Sequence, residues 1–240
     1  MNETLYVVLP AYNEEENIEA VVKSWYMVLE GKSEDSRIVI ADSGSRDRTH
    51  EILVGMQKDL PKLVILSETG RYHGEKVIAL YDHAIKNGAE WIFQTDSDGQ
   101  TNPAEFAAFW DMRTDYDGIF GERPVRGDGA IRAFVEKVVC ILLRMYFSVK
   151  VPDANAPFRL MKAGVVKKYL YRMDPDYNLP NIMIVTYFAY YGEKLAFRQI
   201  SFKPRQGGVN SINIPKIIQI GWKALSDFKR LKQGMQAAGS

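Results

Sequence analysis

Three polar clusters hold the residues whose types and spacing could do chemistry. Asp96-Ser97-Asp98 sets two carboxylates either side of one residue, at the end of the apolar run Trp91-Ile-Phe-Gln-Thr95. Such a pair can hold one hard divalent cation, Mg2+ or Mn2+, which takes oxygen ligands, keeps part of its water shell and is completed by substrate phosphates. Gln100 adds a neutral oxygen two residues on. Alone, the triplet also has the composition of a tight turn. The second cluster, Asp42-Ser-Gly-Ser-Arg-Asp47, offers a carboxylate that can accept bonds from a base or ribose, among small residues that let a ligand approach. An ordinary strand-to-helix loop reads the same way. The third cluster is Pro10-Ala-Tyr-Asn-Glu-Glu-Glu-Asn-Ile18.

The elements that must position these clusters alternate along the first half. Leu5-Tyr-Val-Val-Leu9, Arg37-Ile-Val-Ile-Ala41, Leu63-Val-Ile-Leu66, Trp91–Thr95 and Gly118-Ile-Phe-Gly121 are short apolar runs that predict buried strands. Between them, helices are expected over roughly 14–30, with Asn13 as cap and Gly31 as stop, from Ser45 or Asp47 to Lys58, from Glu75 to Asn87, and from Pro103 to Met112. Strand–helix alternation predicts a parallel, doubly wound α/β sheet, in which ligands bind beyond the carboxyl ends of the strands. All three clusters fall there. The second half changes character: a nearly all-round apolar segment at 131–149, irregular alternation over 153–205, and an amphipathic, Lys-rich stretch at 213–233. The division expected is one domain over 1–240, with a donor-side half at 1–125, an acceptor-side half at 126–212 and a C-terminal helix and tail at 213–240.

Composition narrows the class. The chain has 240 residues, 46% hydrophobic and 25% charged, and its 31 basic and 30 acidic residues leave a net charge of +1. That is an ordinary globular balance, without the basic excess of a nucleic-acid binder. The one cysteine, Cys140, lies in an apolar run and predicts a buried, inert thiol. No secretory leader is expected at the N-terminus, and no apolar run reaches spanning length before Arg144 or a Lys or Gln interrupts it. The expected location is the cytoplasm, with contact at the cytoplasmic face of a membrane open. The three histidines, His50, His73 and His83, are scattered and read as surface or packing residues.

Taken in order, Pro10-Ala-Tyr-Asn-Glu14, Ala41-Asp-Ser-Gly-Ser-Arg-Asp-Arg-Thr49 and Asp96-Ser-Asp-Gly-Gln100 resemble the motifs of family-2 glycosyltransferases of the GT-A fold. Three motifs in order are specific where one is not. The resemblance covers 5–125 well and continues more weakly to 210. Gly121-Glu-Arg123, Arg132 and Asp153-Ala-Asn-Ala-Pro-Phe-Arg159 resemble the later pattern of polyprenyl-phosphate sugar transferases, of the dolichol-phosphate mannosyltransferase kind. Ser43 departs from a second Asp in the base-binding loop, and Ala156-Pro157 stands where Gly is common.

The resemblance implies a metal-dependent transfer, with inversion, from a uridine or guanosine diphosphate sugar to a polyprenyl phosphate. A saccharide hydroxyl is the alternative acceptor, and homo-oligomers are compatible with it. It implies that Pro10, Ala11, Tyr12, Glu14, Asp42, Ser43, Lys76, Asp96 and Ser97 line the nucleotide sugar. Asp96, Asp98 and Gln100 would hold Mg2+ or Mn2+, and Arg123, Arg132, Arg159 and Arg205 would face phosphates. Asp98, Asp153 and Arg123 form the expected catalytic set, Asp153 as base where the acceptor is a hydroxyl. Lys76 reads equally as a solvated lysine at a helix start. Two rivals remain. A nucleotidyltransferase would carry a Gly-rich, basic phosphate loop where this chain has the acidic Tyr12-Asn-Glu-Glu-Glu16, and a non-catalytic nucleotide-binding module would need no Asp96/Asp98 pair.

Overall fold

A computed structural model describes residues 3–124, 130–204 and 226–235, with the backbone alone at 130–132. Seven strands form one sheet in the order β3-β2-β1-β4-β6-β5-β7. They are β1 (Leu5–Ala11), β2 (Arg37–Asp42), β3 (Leu63–Leu66), β4 (Trp91–Thr95), β5 (Gly118–Glu122), β6 (Phe158–Lys162) and β7 (Leu195–Gln199). The helices are α1 (Ile18–Tyr26), α2 (Thr49–Met56), α3 (His73–Lys86), α4 (Phe106–Met112), α5 (Ala130–Phe147), α6 (Ala163–Leu170) and α7 (Pro180–Tyr190), and 226–235 is helical.

The inner strands β1, β2, β4, β5 and β6 are buried on both faces, as continuous apolar runs require, while the edge strands β3 and β7 are only partly covered. Leu5, Val7 and Leu9 of β1 enter one core with Trp25, Phe93, Phe109 and Phe158, while Tyr6 and Val8 enter the other with Tyr81, Leu143, Met161 and Phe188. Helices α1, α2 and α4 cover the first face; α3, α5, α6 and α7 cover the second.

The expected sheet is mostly parallel, with one departure: β6 runs antiparallel to both neighbours, Thr95 opposite Phe158 and Phe120 opposite Arg159. Its beginning, not its end, therefore lies at the carboxyl edge of β4 and β5. This brings the loop at 153–157 to the edge where the motifs sit. Parallel pairing of β7 with β5, Glu122 opposite Gln199, carries residues 200–204 to the same edge.

Asn13 does not cap α1. It sits in the left-handed region (φ 53°), and its side-chain oxygen accepts from Arg46 N instead. The helix starts at Ile18, after a turn in which Glu14 O accepts from the amides of Asn17 and Ile18.

Candidate active site

The ends of three strands are level. Ala11 pairs with Asp42, and the offset that sets Val8 opposite Gln94 brings Ala11 level with Ser97. Side chains then lace the three loops together. Ser97 Oγ donates to Pro10 O at 2.9 Å, tying the Asp96–Asp98 loop to β1. Ser45 Oγ accepts from Asn13 N at 3.0 Å, Thr49 Oγ1 from Glu14 N at 2.8 Å, and Asp47 Oδ2 from Glu15 N at 3.1 Å, tying the β2 loop to the β1 loop. Glu14 is buried and accepts from Asn17 Nδ2. It serves as a brace within the loop.

Asp42 is buried, with Ser45 Oγ donating to Oδ1 at 2.5 Å and His50 Nδ1 at 3.1 Å from Oδ2. Its carboxylate is thus held in one orientation, while Ser43 beside it stays half-buried. His50, read as a scattered surface residue, is a partner of this carboxylate. Its offset of eight residues from Asp42 carries no recognisable signal in the sequence.

Lys76 is buried (2% exposed), which rules out a solvated lysine. Its ammonium donates to Ala11 O at 2.5 Å and lies 5.2 Å from the centre of the half-exposed Tyr12 ring. Burial lowers its pKa, against the opposite pull of Asp42 and Glu75. α3 can begin this close because Gly74 has no Cβ: one placed there would lie 2.2 Å from Tyr177 O.

Asp96 and Asp98 are half-buried, and Asp98 Oδ1 accepts from Gln100 N at 3.1 Å across Gly99, whose φ of 73° makes the turn. Among the described residues no three His, Cys, Asp or Glu groups gather as a ready-made metal cage. Two hard carboxylate donors at a half-open position suit a Mg2+ or Mn2+ that takes its remaining ligands from phosphate and water. Gln100, expected as a further ligand, is buried and clamps the chain through its amide nitrogen and backbone oxygen. Its Nε2 donates to Lys203 O at 2.7 Å and Lys203 N returns a bond to Gln100 O at 2.9 Å.

His73, read as a surface or packing residue, is exposed at the start of α3. The protein around its ring, then the charges of Arg159 and Lys76, lower its pKa against the pull of Asp98.

The acceptor-side residues separate. Arg123 and Asp153 form a buried bidentate pair, Nε to Oδ2 at 2.7 Å and Nη2 to Oδ1 at 2.9 Å, with side chains only 4% and 5% exposed. Asp153 also accepts from Asn155 N at 3.2 Å, and the Arg123 guanidinium lies 5.0 Å over the Phe202 ring. The expectation of Asp153 as a base is corrected by this geometry: both its oxygens are committed to the guanidinium. Arg159 is corrected as well. It is 1% exposed and donates to the carbonyls of Ala156 (2.7 and 3.0 Å), Asn181 (2.7 Å) and Ala154 (3.4 Å). A guanidinium saturated by main-chain carbonyls beneath the surface staples the 153–157 loop to α7 and meets no phosphate. The Arg132 side chain and Arg205 lie outside the described residues, as does most of the 213–233 stretch. Cys140 is half-buried rather than buried. Burial and Glu136 push its thiol up to about 12.

The sequence model of the family described as "Glycosyl transferase family 2" matches residues 6–170. The chain belongs to glycosyl transferase family 2. Among curated relatives of this family-2 chain is the undecaprenyl-phosphate 4-deoxy-4-formamido-L-arabinose transferase of Pectobacterium carotovorum subsp. carotovorum, 22% identical over 92% of this chain and 66% of that protein. The enzyme of the same name from Pectobacterium atrosepticum is 24% identical over 68% of this chain and 50% of its own length. The chain therefore spans two thirds or less of these relatives. An uncharacterized glycosyltransferase of Synechocystis sp. is 24% identical over 95% of this chain and 70% of that one.

Solved structures identify the fold as GT-A. Glucosyl-3-phosphoglycerate synthase from Mycobacterium tuberculosis, in complex with Mn2+, UDP and phosphoglyceric acid, superposes with a TM-score of 0.70 over 94% of this chain and 78% of that one, at 16% identity. Its complex with Mg2+ and UDP gives 0.66 over 86% and 73%, at 17% identity.

Proposed function

We propose that this family-2 glycosyltransferase moves a sugar from a nucleoside diphosphate sugar to a polyprenyl phosphate, with inversion at the anomeric carbon. The observation that carries the reading is the Arg123–Asp153 pair at the sheet edge that bears the Asp96–Asp98 loop. The carboxylate weighed as a base is committed to a guanidinium, which suits an acceptor already ionised. Support comes from the undecaprenyl-phosphate transferases among its relatives and from the UDP complexes of its structural neighbours.

In this reading Asp42, oriented by Ser45 and His50, accepts bonds from the nucleoside, and Tyr12 forms a wall beside it. Pro10, Ala11 and Ser97 hold the two loops at the spacing the donor requires, with Lys76 braced beneath. Asp96 and Asp98 hold Mg2+ or Mn2+. Once bound, such an ion neutralises charge growing on the departing diphosphate. Arg132 and Arg205 position the acceptor phosphate by charge-assisted bonds, while Asp153 holds the buried Arg123 in place. A phosphate oxygen attacks the anomeric carbon as the bond to the donor diphosphate breaks, and the nucleoside diphosphate leaves. No proton need be removed from the nucleophile.

The test offers labelled UDP- and GDP-sugars with Mn2+ to a short-chain polyprenyl phosphate and to a panel of saccharides. Transfer to the lipid with release of nucleoside diphosphate is expected. Transfer to saccharide alone refutes the acceptor assignment, and release of pyrophosphate refutes sugar transfer in favour of nucleotidyl transfer.

A further inference from the structure

Among the described residues no helix is long and apolar enough to cross a membrane, yet α5 turns large apolar side chains outward. Phe134, Val138, Ile141 and Met145 are 67%, 37%, 58% and 71% exposed. Their spacing of four, three and four residues puts them on one face of the helix, opposite Leu143 and Phe147, which enter the core. The stripe runs about 17 Å at the rise of an α-helix. Scattered exposed hydrophobics are ordinary; a contiguous row marks a contact. Lys137 and Arg144, seven residues apart and both exposed, ride one margin of the stripe. The one acidic residue of α5, Glu136, points the other way and accepts from Ala154 N at 2.8 Å.

We infer that the outer face of α5 docks on an anionic lipid surface, with Phe134, Val138, Ile141 and Met145 entering the interface and Lys137 and Arg144 meeting lipid phosphates. Large apolar side chains flanked by cations, without an acid among them, match such a surface in both hydrophobicity and charge. A second copy matches it poorly. Two such faces would bring cations together with no carboxylate opposite, and four side chains fall far short of the roughly 20–30 residues a side that a stable dimer uses. The placement serves the site. Glu136 holds Ala154, the neighbour of Asp153, so the stripe starts within two turns of the Arg123–Asp153 pair. A phosphate at the bilayer surface is then near the arginine while its chain stays in lipid. The inference rests on the lipid-phosphate reading in this respect.

The full chain, without acceptor, is tested for co-sedimentation with phosphatidylcholine vesicles and with equimolar phosphatidylcholine–phosphatidylglycerol vesicles. Binding to the mixed vesicles alone is expected. Lys137→Gln with Arg144→Gln weakens it about 30-fold, each cation contributing about fivefold near an anionic surface. Ile141→Ser with Met145→Ser also releases the protein, while its transfer to a short-chain acceptor in solution is unchanged. If the wild type ignores both vesicles, or the Ile141→Ser, Met145→Ser variant binds as well as wild type, the docking face is wrong. A dimer in sedimentation equilibrium that Ile141→Ser dissolves would assign the stripe to a second copy and overturn the inference. Loss of transfer in solution by wild type would instead fall on the proposed function, since vesicle binding is read without turnover.

Discussion

Removing one partner of the Arg123–Asp153 pair should cost the fold more than it costs any single chemical step. Both side chains are almost fully enclosed, and their two direct bonds of 2.7 and 2.9 Å satisfy charges that water cannot reach. Arg123→Ala leaves the Asp153 carboxylate buried with only the backbone amides of residues 123 and 155 bonding it. Breaking a buried pair from one side costs about 3–5 kcal/mol, a large share of the roughly 5–15 kcal/mol that stabilises a domain. For a chain of this size that lowers the melting temperature by roughly 10 °C. Asp153→Asn keeps the shape but sets an amide NH2 against guanidinium donors, and should fall in the same range. The double variant Arg123→Met, Asp153→Leu should recover much of the loss, because an apolar pair leaves no charge uncompensated. Urea unfolding of wild type, Arg123→Met, Asp153→Leu and the double variant closes a double-mutant cycle, in which the contribution of Arg123 stacking on Phe202 cancels. The refuting result is specific: Asp153→Asn with wild-type stability, no transfer to a saccharide, and transfer restored by added formate. That pattern would make Asp153 a base and the pair incidental.

Three further outcomes follow from the donor side. Asp98→Ala should stay folded, lose Mn2+ binding by calorimetry and lose turnover; full activity in the presence of chelator would remove the metal from the reaction. Asp42→Ala should raise the dissociation constant of the nucleoside diphosphate about 10–100-fold, the worth of bonds to a charged acceptor, and an unchanged calorimetric constant would take Asp42 out of the pocket. His73, exposed at the start of α3, has a folded-state pKa below its ordinary value of 6.5. As pH drops below 6.5 the unfolded chain binds the extra proton first, so stability falls, by an amount that water around the exposed ring keeps small. His73→Gln should show a smaller loss of urea midpoint between pH 7 and pH 4.5; an equal loss refutes the assignment.

The sequence by itself determined the first five strands and the three loops. Apolar runs such as Leu63–Leu66 and Trp91–Thr95 are found where their composition puts them. Short runs rich in β-branched and aromatic residues leave few alternatives, and motifs at strand ends are local facts. The ordered motifs were also enough for the family. Contacts between distant parts of the chain were not legible. Arg123 and Asp153 are 30 residues apart, and they meet only because β6 enters the sheet antiparallel. A strand of five residues carries no sign in its sequence of which way it will pair. Arg159 carried an arginine's promise of phosphate, but its burial against three carbonyls is a property of the packed loop and α7. The outward row on α5 was equally ambiguous: an almost uniformly apolar helix has no preferred face in sequence. Packing of Leu143 and Phe147 against the core chose one face and left Phe134, Ile141 and Met145 to the outside. Local propensity fixes elements because its energies act within a few residues, whereas the site and its surroundings depend on which distant groups the sheet brings together.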